Sequence, residues 1–138
     1  MGLNMQLTRF TDYALRVLMY LGKQETDTLL QVSFLADVLN IPRSHLVKVV
    51  HQLGKIGWIK TFRGKGGGLC LGVARENIIL GDVIRQFEAT LKPINCNEPV
   101  CPIAGNCRLY PALWKAQQAF LAECDKVTLA QLVQSPLY

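Results

Sequence analysis

A chain of 138 residues, half of them apolar and 18% charged, can bury one ordinary core with an added wing or pairing helix, but not two large independent domains. That composition excludes a disordered chain and leaves apolar surface for a partner subunit. The net charge of +5 lies wholly in the first half: residues 1–72 hold nine Lys/Arg against four Asp/Glu, and residues 73–138 hold six of each.

Met1 to Asn4 precede a second methionine, Met5, and read as an alternative start or an added remnant without a function. Thr8 or Thr11 can cap a helix from Asp12 to about Lys23, with Tyr13, Val17, Leu18 and Leu21 at helical spacing. After a polar break, Ser33 is expected to cap a short helix from Phe34 to Leu39. A turn at Asn40-Ile41 leads into a helix from Pro42 to about Lys55. This is helix-turn-helix spacing. Trp58 to Phe62, the glycine-rich Arg63 to Gly68 and Leu69 to Leu71 follow as strand, turn and strand, a wing. The glycines join two strands and no GK[ST] leads into a helix, which argues against a nucleotide loop. A short helix is expected from Ile79 to Glu88, then a loop over 90–107. A long helix starts near Tyr110, with Leu109, Leu113, Ala116 and Phe120 forming a pairing seam. Thr128 can cap a last helix from Leu129 to Val133. The expected fold is mostly α with a small β wing: a winged helix-turn-helix domain over 5–89, the loop over 90–107, and a dimerisation helix with its tail over 108–138.

Between Asp37 and Glu76 the sequence has no carboxylate, yet Arg43, Lys48, Lys55, Lys60, Arg63, Lys65 and Arg75 fall there with His45 and His51. Such a stretch suits phosphates, or is simply a solvated basic face. In the second helix of the pair, Leu46, Val49, Val50 and Leu53 form the apolar stripe. Arg43, Ser44, His45 and Lys48 are candidates for base edges in a major groove, against the alternative of an ordinary amphipathic surface helix. Arg63, Lys65 and Gly66 are the wing candidates, glycine letting the chain approach a DNA backbone closely. A single small winged helix must usually pair to match two half-sites, so a homodimer on a pseudo-palindromic duplex is expected.

Five cysteines without a secretory leader argue for reduced thiols in a cytoplasmic protein, and for metal over disulfides. Cys96, Cys101 and Cys107 lie in one turn-rich loop, with four and five residues between them. Soft thiolates select zinc, copper(I) or iron–sulfur clusters, and these gaps fit poorly with the close pairs of structural zinc. A cluster fits better, with thiol chemistry as the remaining reading. Cys70 and Cys124 read as small buried hydrophobes rather than a fourth ligand. Asp12, four residues before Arg16, reads by itself as a first-turn surface acid.

Three ordered motifs, Met5-Gln6-Leu7-Thr8-Arg9-Phe10-Thr11-Asp12-Tyr13-Ala14-Leu15-Arg16, Arg63-Gly64-Lys65-Gly66-Gly67-Gly68 and the three-cysteine loop, together resemble the nitric-oxide-sensing NsrR repressors. These belong to the winged-helix regulator family that also includes IscR, and the resemblance covers nearly the whole chain from Met5. It implies a [4Fe-4S] cluster on Cys96, Cys101, Cys107 and Asp12, the carboxylate coming from the other subunit. It also implies a repressor that leaves its operator when nitric oxide destroys the cluster, so that detoxification genes are expressed. IscR-like members hold a [2Fe-2S] cluster with a His three residues after the third cysteine; here that position is Tyr110, which favours the NsrR side. A regulator of the same fold responding to iron–sulfur or redox status, with a [2Fe-2S] cluster, is the first alternative. An iron–sulfur electron carrier, which has no use for a basic wing, is the second. No nucleophile and base pattern points to an enzyme.

Overall fold

The computed structural model describes residues 6–134; what was read from Met1 to Met5, and from the tail beyond Gln134, lies outside the described residues. The elements run α1 (Arg9–Gly22), α2 (Val32–Leu39), α3 (Arg43–Ile56), β1 (Ile59–Phe62), β2 (Gly68–Leu71), α4 (Leu80–Phe87), α5 (Leu109–Cys124) and α6 (Leu129–Val133), with a 3-10 turn at Arg75–Asn77.

α1 starts where the Thr8 hydroxyl accepts a hydrogen bond from the Thr11 amide. Ala14, Val17, Leu18 and Leu21 recur three and four residues apart and are buried, the stripe that an amphipathic helix turns to a core. This helix is central, touching α2, α3, α4, α6 and β2. Between α2 and α3 the backbone of Asn40 turns left-handed, with φ 54° and ψ 47°, a conformation that Asn tolerates better than other side chains. α3 begins after Pro42, which caps it, and ends at Gly57, where φ is 95° and the amides of Gly57 and Trp58 both close on the Leu53 carbonyl at 3.1 Å. Leu46, Val49, Val50 and Leu53 face the core as the spacing requires.

In the wing, β1 and β2 pair antiparallel, Ile59 opposite Leu71 and Phe62 opposite Gly68. Gly64 and Gly66 have φ of 89° and 80°, values that a side chain disfavours, and a side chain on Gly67 would run into the Phe62 carbonyl. The outer edge of β2 also pairs with Leu30, whose amide and carbonyl bond Leu69 at 3.0 and 2.8 Å. That bridge moves the start of α2. Gln31 becomes the cap, its side-chain amide bonding the Gly67 carbonyl at 2.7 Å, and Ser33 sits inside the helix instead of capping it.

α6 is closed by a capping box in which Thr128 and Gln131 satisfy each other's backbone amides. The Ile78 carbonyl accepts from the Leu129 amide at 2.8 Å, pinning α6 against the 3-10 turn. α5 differs from the other helices. At 1.5 Å per residue it is about 24 Å long, and Leu121 is its one buried residue among those described, while Leu109, Trp114 and Phe120 are 56%, 50% and 49% exposed. The architecture is a winged helix-turn-helix with an extended C-terminal helix of the kind used for pairing. Among the described residues no helix is long and apolar enough to cross a membrane.

Candidate nucleic-acid interface and metal centre

All seven residues read as DNA contacts are exposed: Arg43, Ser44, His45 and Lys48 on α3, and Arg63, Lys65 and Gly66 at the wing tip. Two positions modify the expectation. The His45 ring stacks on Tyr13 of α1, with centroids 6.1 Å apart and planes 27° from parallel, so its imidazole is shared between the surface and α1. Arg75, exposed as the charge reading requires, also has a partner within the fold. Its Nη1 donates to the Gly22 carbonyl at 2.7 Å, closing the last turn of α1, where unpaired carbonyls favour a cation. The remaining cations of the carboxylate-free stretch stand on the recognition helix and the wing, a geometry suited to following a phosphate backbone.

The cysteine loop hangs between α4 and α5. Cys96 and Cys107 open onto one cavity of about 390 Å³, which Tyr110, Asn95 and Lys92 also line. The Cys101 amide donates to the Cys96 carbonyl at 2.9 Å, folding the loop back on itself. Cys107 lies at the start of α5, and the Leu109 amide donates to its Sγ at 3.3 Å, a contact of the kind that tunes thiolate-held clusters. All five thiols are free. Among the described residues no three His, Cys, Asp or Glu side chains are gathered closely enough to hold a metal ion; the structure brings two of the three sulfurs to a common cavity and leaves the set open. The donors fit a soft metal centre, and their half-buried positions leave room for one. Asp12 stands apart, its two carboxylate oxygens each 2.9 Å from the Arg16 guanidinium.

Of the two remaining cysteines, Cys70 is buried in β2 as expected of a small hydrophobe, whereas Cys124 is only partly buried. Burial pushes the Cys124 thiol up, and the neighbouring Asp125 carboxylate adds to this against the opposing charge of Arg85.

A family model for Rrf2, described as an iron-dependent transcriptional regulator, matches residues 7–135. The chain belongs to the Rrf2 family. Among solved structures, this Rrf2 protein is similar to CymR, the global cysteine regulator of B. subtilis, with a TM-score of 0.78 and 23% identity over 95% of this chain and 98% of that one. It is similar to the oxidized form of Staphylococcus aureus CymR, with a TM-score of 0.75 and 27% identity over 97% of this chain and 100% of that one. It also shares its fold with T. potens IscR, with a TM-score of 0.75 and 20% identity over 95% of this chain and 88% of that one. The Rrf2 chain is thus a DNA-binding transcription regulator.

One structural tie of this Rrf2 fold was not legible beforehand. Glu88 follows α4 at the entrance to the cysteine loop. Its Oε2 accepts from the Thr8 amide at 3.1 Å, from the Thr8 hydroxyl at 2.6 Å and from the Thr11 hydroxyl. Thr11 is fully buried, so Glu88 supplies the partner that a buried hydroxyl requires. The Phe10 and Phe87 rings pack beside this knot at 5.0 Å. The helix carrying Asp12 is thereby tied to the segment carrying the cysteines. Burial works to push the Glu88 carboxyl up, but the hydrogen bonds from Thr11 and Thr8 outweigh it and hold it below the ordinary glutamate value. A carboxyl depressed in the folded state adds stability that is present above its unfolded value, near about 4.3, and is lost as pH falls through the folded value. Glu88→Gln is expected to cost about 1 kcal/mol at neutral pH and to lack the loss of stability that wild type shows as pH falls from neutral through and below the ordinary glutamate value. Thermal melts of both proteins across that range check this; curves that stay parallel and superposed would show that the tie contributes nothing.

Proposed function

We propose that this Rrf2 protein is a homodimeric, cytoplasmic transcription regulator that responds to iron–sulfur or redox status through a cluster held by Cys96, Cys101 and Cys107. The carrying observation is the opening of Cys96 and Cys107 onto one cavity, in a loop tied at one end to α1 through Glu88 and continuous at the other with α5. A cluster there would supply a redox-active, chemically labile iron centre. The protein's part is mechanical: ligation would order the loop, and the loop borders both the helix that packs on the DNA-binding pair and the helix suited to pairing. Its state would then set the spacing of two recognition helices. Arg43, Ser44, His45 and Lys48 would meet the major groove of a pseudo-palindromic duplex, with Arg63, Lys65 and Gly66 on the backbone or minor groove. The test is anaerobic purification with an absorption spectrum and iron and sulfide assays, followed by DNA binding before and after oxidation. A colourless protein, or a coloured one whose DNA binding ignores the cluster, would sink the reading.

A finer reading is favoured by Tyr110, which lines the cavity at the position where the IscR-like pattern has its His. On it the cluster is a [4Fe-4S] group completed by Asp12 of the other subunit, nitric oxide is the signal, and loss of the cluster derepresses detoxification genes. The Asp12–Arg16 pair is no obstacle, since both side chains are nearly half exposed and such a pair is worth only about 0.3–0.5 kcal/mol. Asp12→Ala is expected to lower the retained iron and to change the response of the spectrum to nitric oxide. A [2Fe-2S] spectrum, or an Asp12→Ala protein indistinguishable from wild type in a nitric oxide titration, would remove this reading and leave the broader one standing.

A further inference from the structure

The base-reading side of α3 contains an apolar residue that the fold does not use. Val47 is 49% exposed, and it stands one turn after Arg43 and one turn before His51, both exposed. Valine is among the poorer helix formers, so on a merely solvated face it would lose propensity without gaining burial. Its other flank opens onto a cleft of about 670 Å³ between α3 and β1, which Val50, His51, Lys55, Ile59, Lys60 and Phe62 also line. No carboxylate lines that cleft among the described residues, so an apolar floor meets a cationic rim. Duplex DNA offers the same two features side by side, a phosphate backbone and, in the major groove, the 5-methyl group of thymine, the one apolar feature among the base edges.

We propose that Val47 is a specificity-determining residue that reads a thymine 5-methyl group in each half-site of the operator. This rests on α3 being the recognition helix. Arg43 and Ser44 recognise hydrogen-bonding edges, whereas Val47 recognises the methyl and rejects bases that place a bare or polar edge there. The methyl is covered on one side by the Val47 isopropyl group, and the neighbouring phosphates fall to Lys55, Lys60 and His51. Covering one methyl is worth about fourfold in affinity.

The experiment uses full-length, anaerobically purified protein and a duplex selected by it from a random pool. Each thymine of the selected duplex is replaced in turn by deoxyuridine, which removes only the methyl, and affinities are measured by fluorescence anisotropy. Wild type is expected to lose about fourfold at one thymine of each half-site. Val47→Ala, which suits a helix, should bind the thymine and deoxyuridine versions equally at that position and match wild type on the deoxyuridine duplex. Val47→Thr, which keeps the branched shape and one methyl, should retain part of the discrimination. The assignment is overturned if Val47→Ala keeps the wild-type thymine-to-uracil ratio at every position, or if wild type ignores every methyl. A selection that enriches no sequence overturns base reading by α3 itself, and the assignment with it, and so is distinct from the first two results.

Discussion

Cys107→Ala protein, purified without oxygen, is expected to be nearly colourless, with iron and sulfide close to background and DNA binding no longer dependent on oxidation. Removing one of the three thiolates proposed to hold the centre would remove both a bond and the order that the bond maintains. Cys107 has the strongest structural role of the three. Its sulfur accepts from the Leu109 amide at 3.3 Å, so it joins the loop to the first turn of α5, and its loss uncouples the two. The fold itself should persist, because Cys107 is only half buried and outside the core; substitutions of that sort usually change stability by less than about 0.5 kcal/mol. Cys70→Ala and Cys124→Ala serve as controls and are expected to keep iron and sulfide, one thiol being buried in β2 and the other lying at the far end of α5 from the loop. Full iron and sulfide in Cys107→Ala would exclude Cys107 as a ligand, and loss in Cys124→Ala would place a ligand at the end of α5.

The helices, the wing and the cap at Thr128 were legible because each depends on a local signal: an apolar stripe, a glycine turn between two strands, a Thr just before Leu129. Ser33 shows where local signals lose. It has the right chemistry for a cap, yet the bridge between Leu30 and Leu69 fixes the chain two residues earlier and hands the position to Gln31. Arg75 and Glu88 failed to declare themselves for the same reason. The partners of Arg75 and Glu88 are 53 and 80 residues away in sequence, and charge counting cannot distinguish a cation that closes a helix from one that awaits a phosphate. Of the candidate centre, the cysteine spacing revealed the donors, and the fold brings Cys96 and Cys107 to one cavity. The fourth position is not a property of the loop, so no spacing within it could reveal a ligand. Val47 escaped because it lies outside the stripe of Leu46, Val49, Val50 and Leu53 and, being apolar, does not count among the polar candidates for base edges.

Phe120→Glu is expected to turn the dimer into monomers and to abolish tight binding to a duplex with two half-sites. Within its own chain α5 packs chiefly on α4, leaving Phe120, Trp114 and Leu109 about half exposed. The seam of Leu109, Leu113, Ala116 and Phe120 advances by four, three and four residues, the spacing by which one helix lies along another. A buried aromatic anchor at such a contact is commonly worth about 2 kcal/mol, or about thirtyfold in dissociation constant, and a two-fold interface contains it twice. Glutamate adds the cost of an unpaired carboxylate in an apolar seam. Gln118→Glu, at an exposed position of α5 outside the seam, is the charge-matched control and should remain dimeric in sedimentation velocity. A Phe120→Glu protein that stays dimeric at the wild-type concentration and binds DNA unchanged would reject α5 as the pairing helix. The same variant tests how the centre is built. If Asp12 of the other subunit completes it, monomers should lose iron along with DNA affinity; if the loop suffices, the monomers stay coloured and lose only the spacing of the two recognition helices.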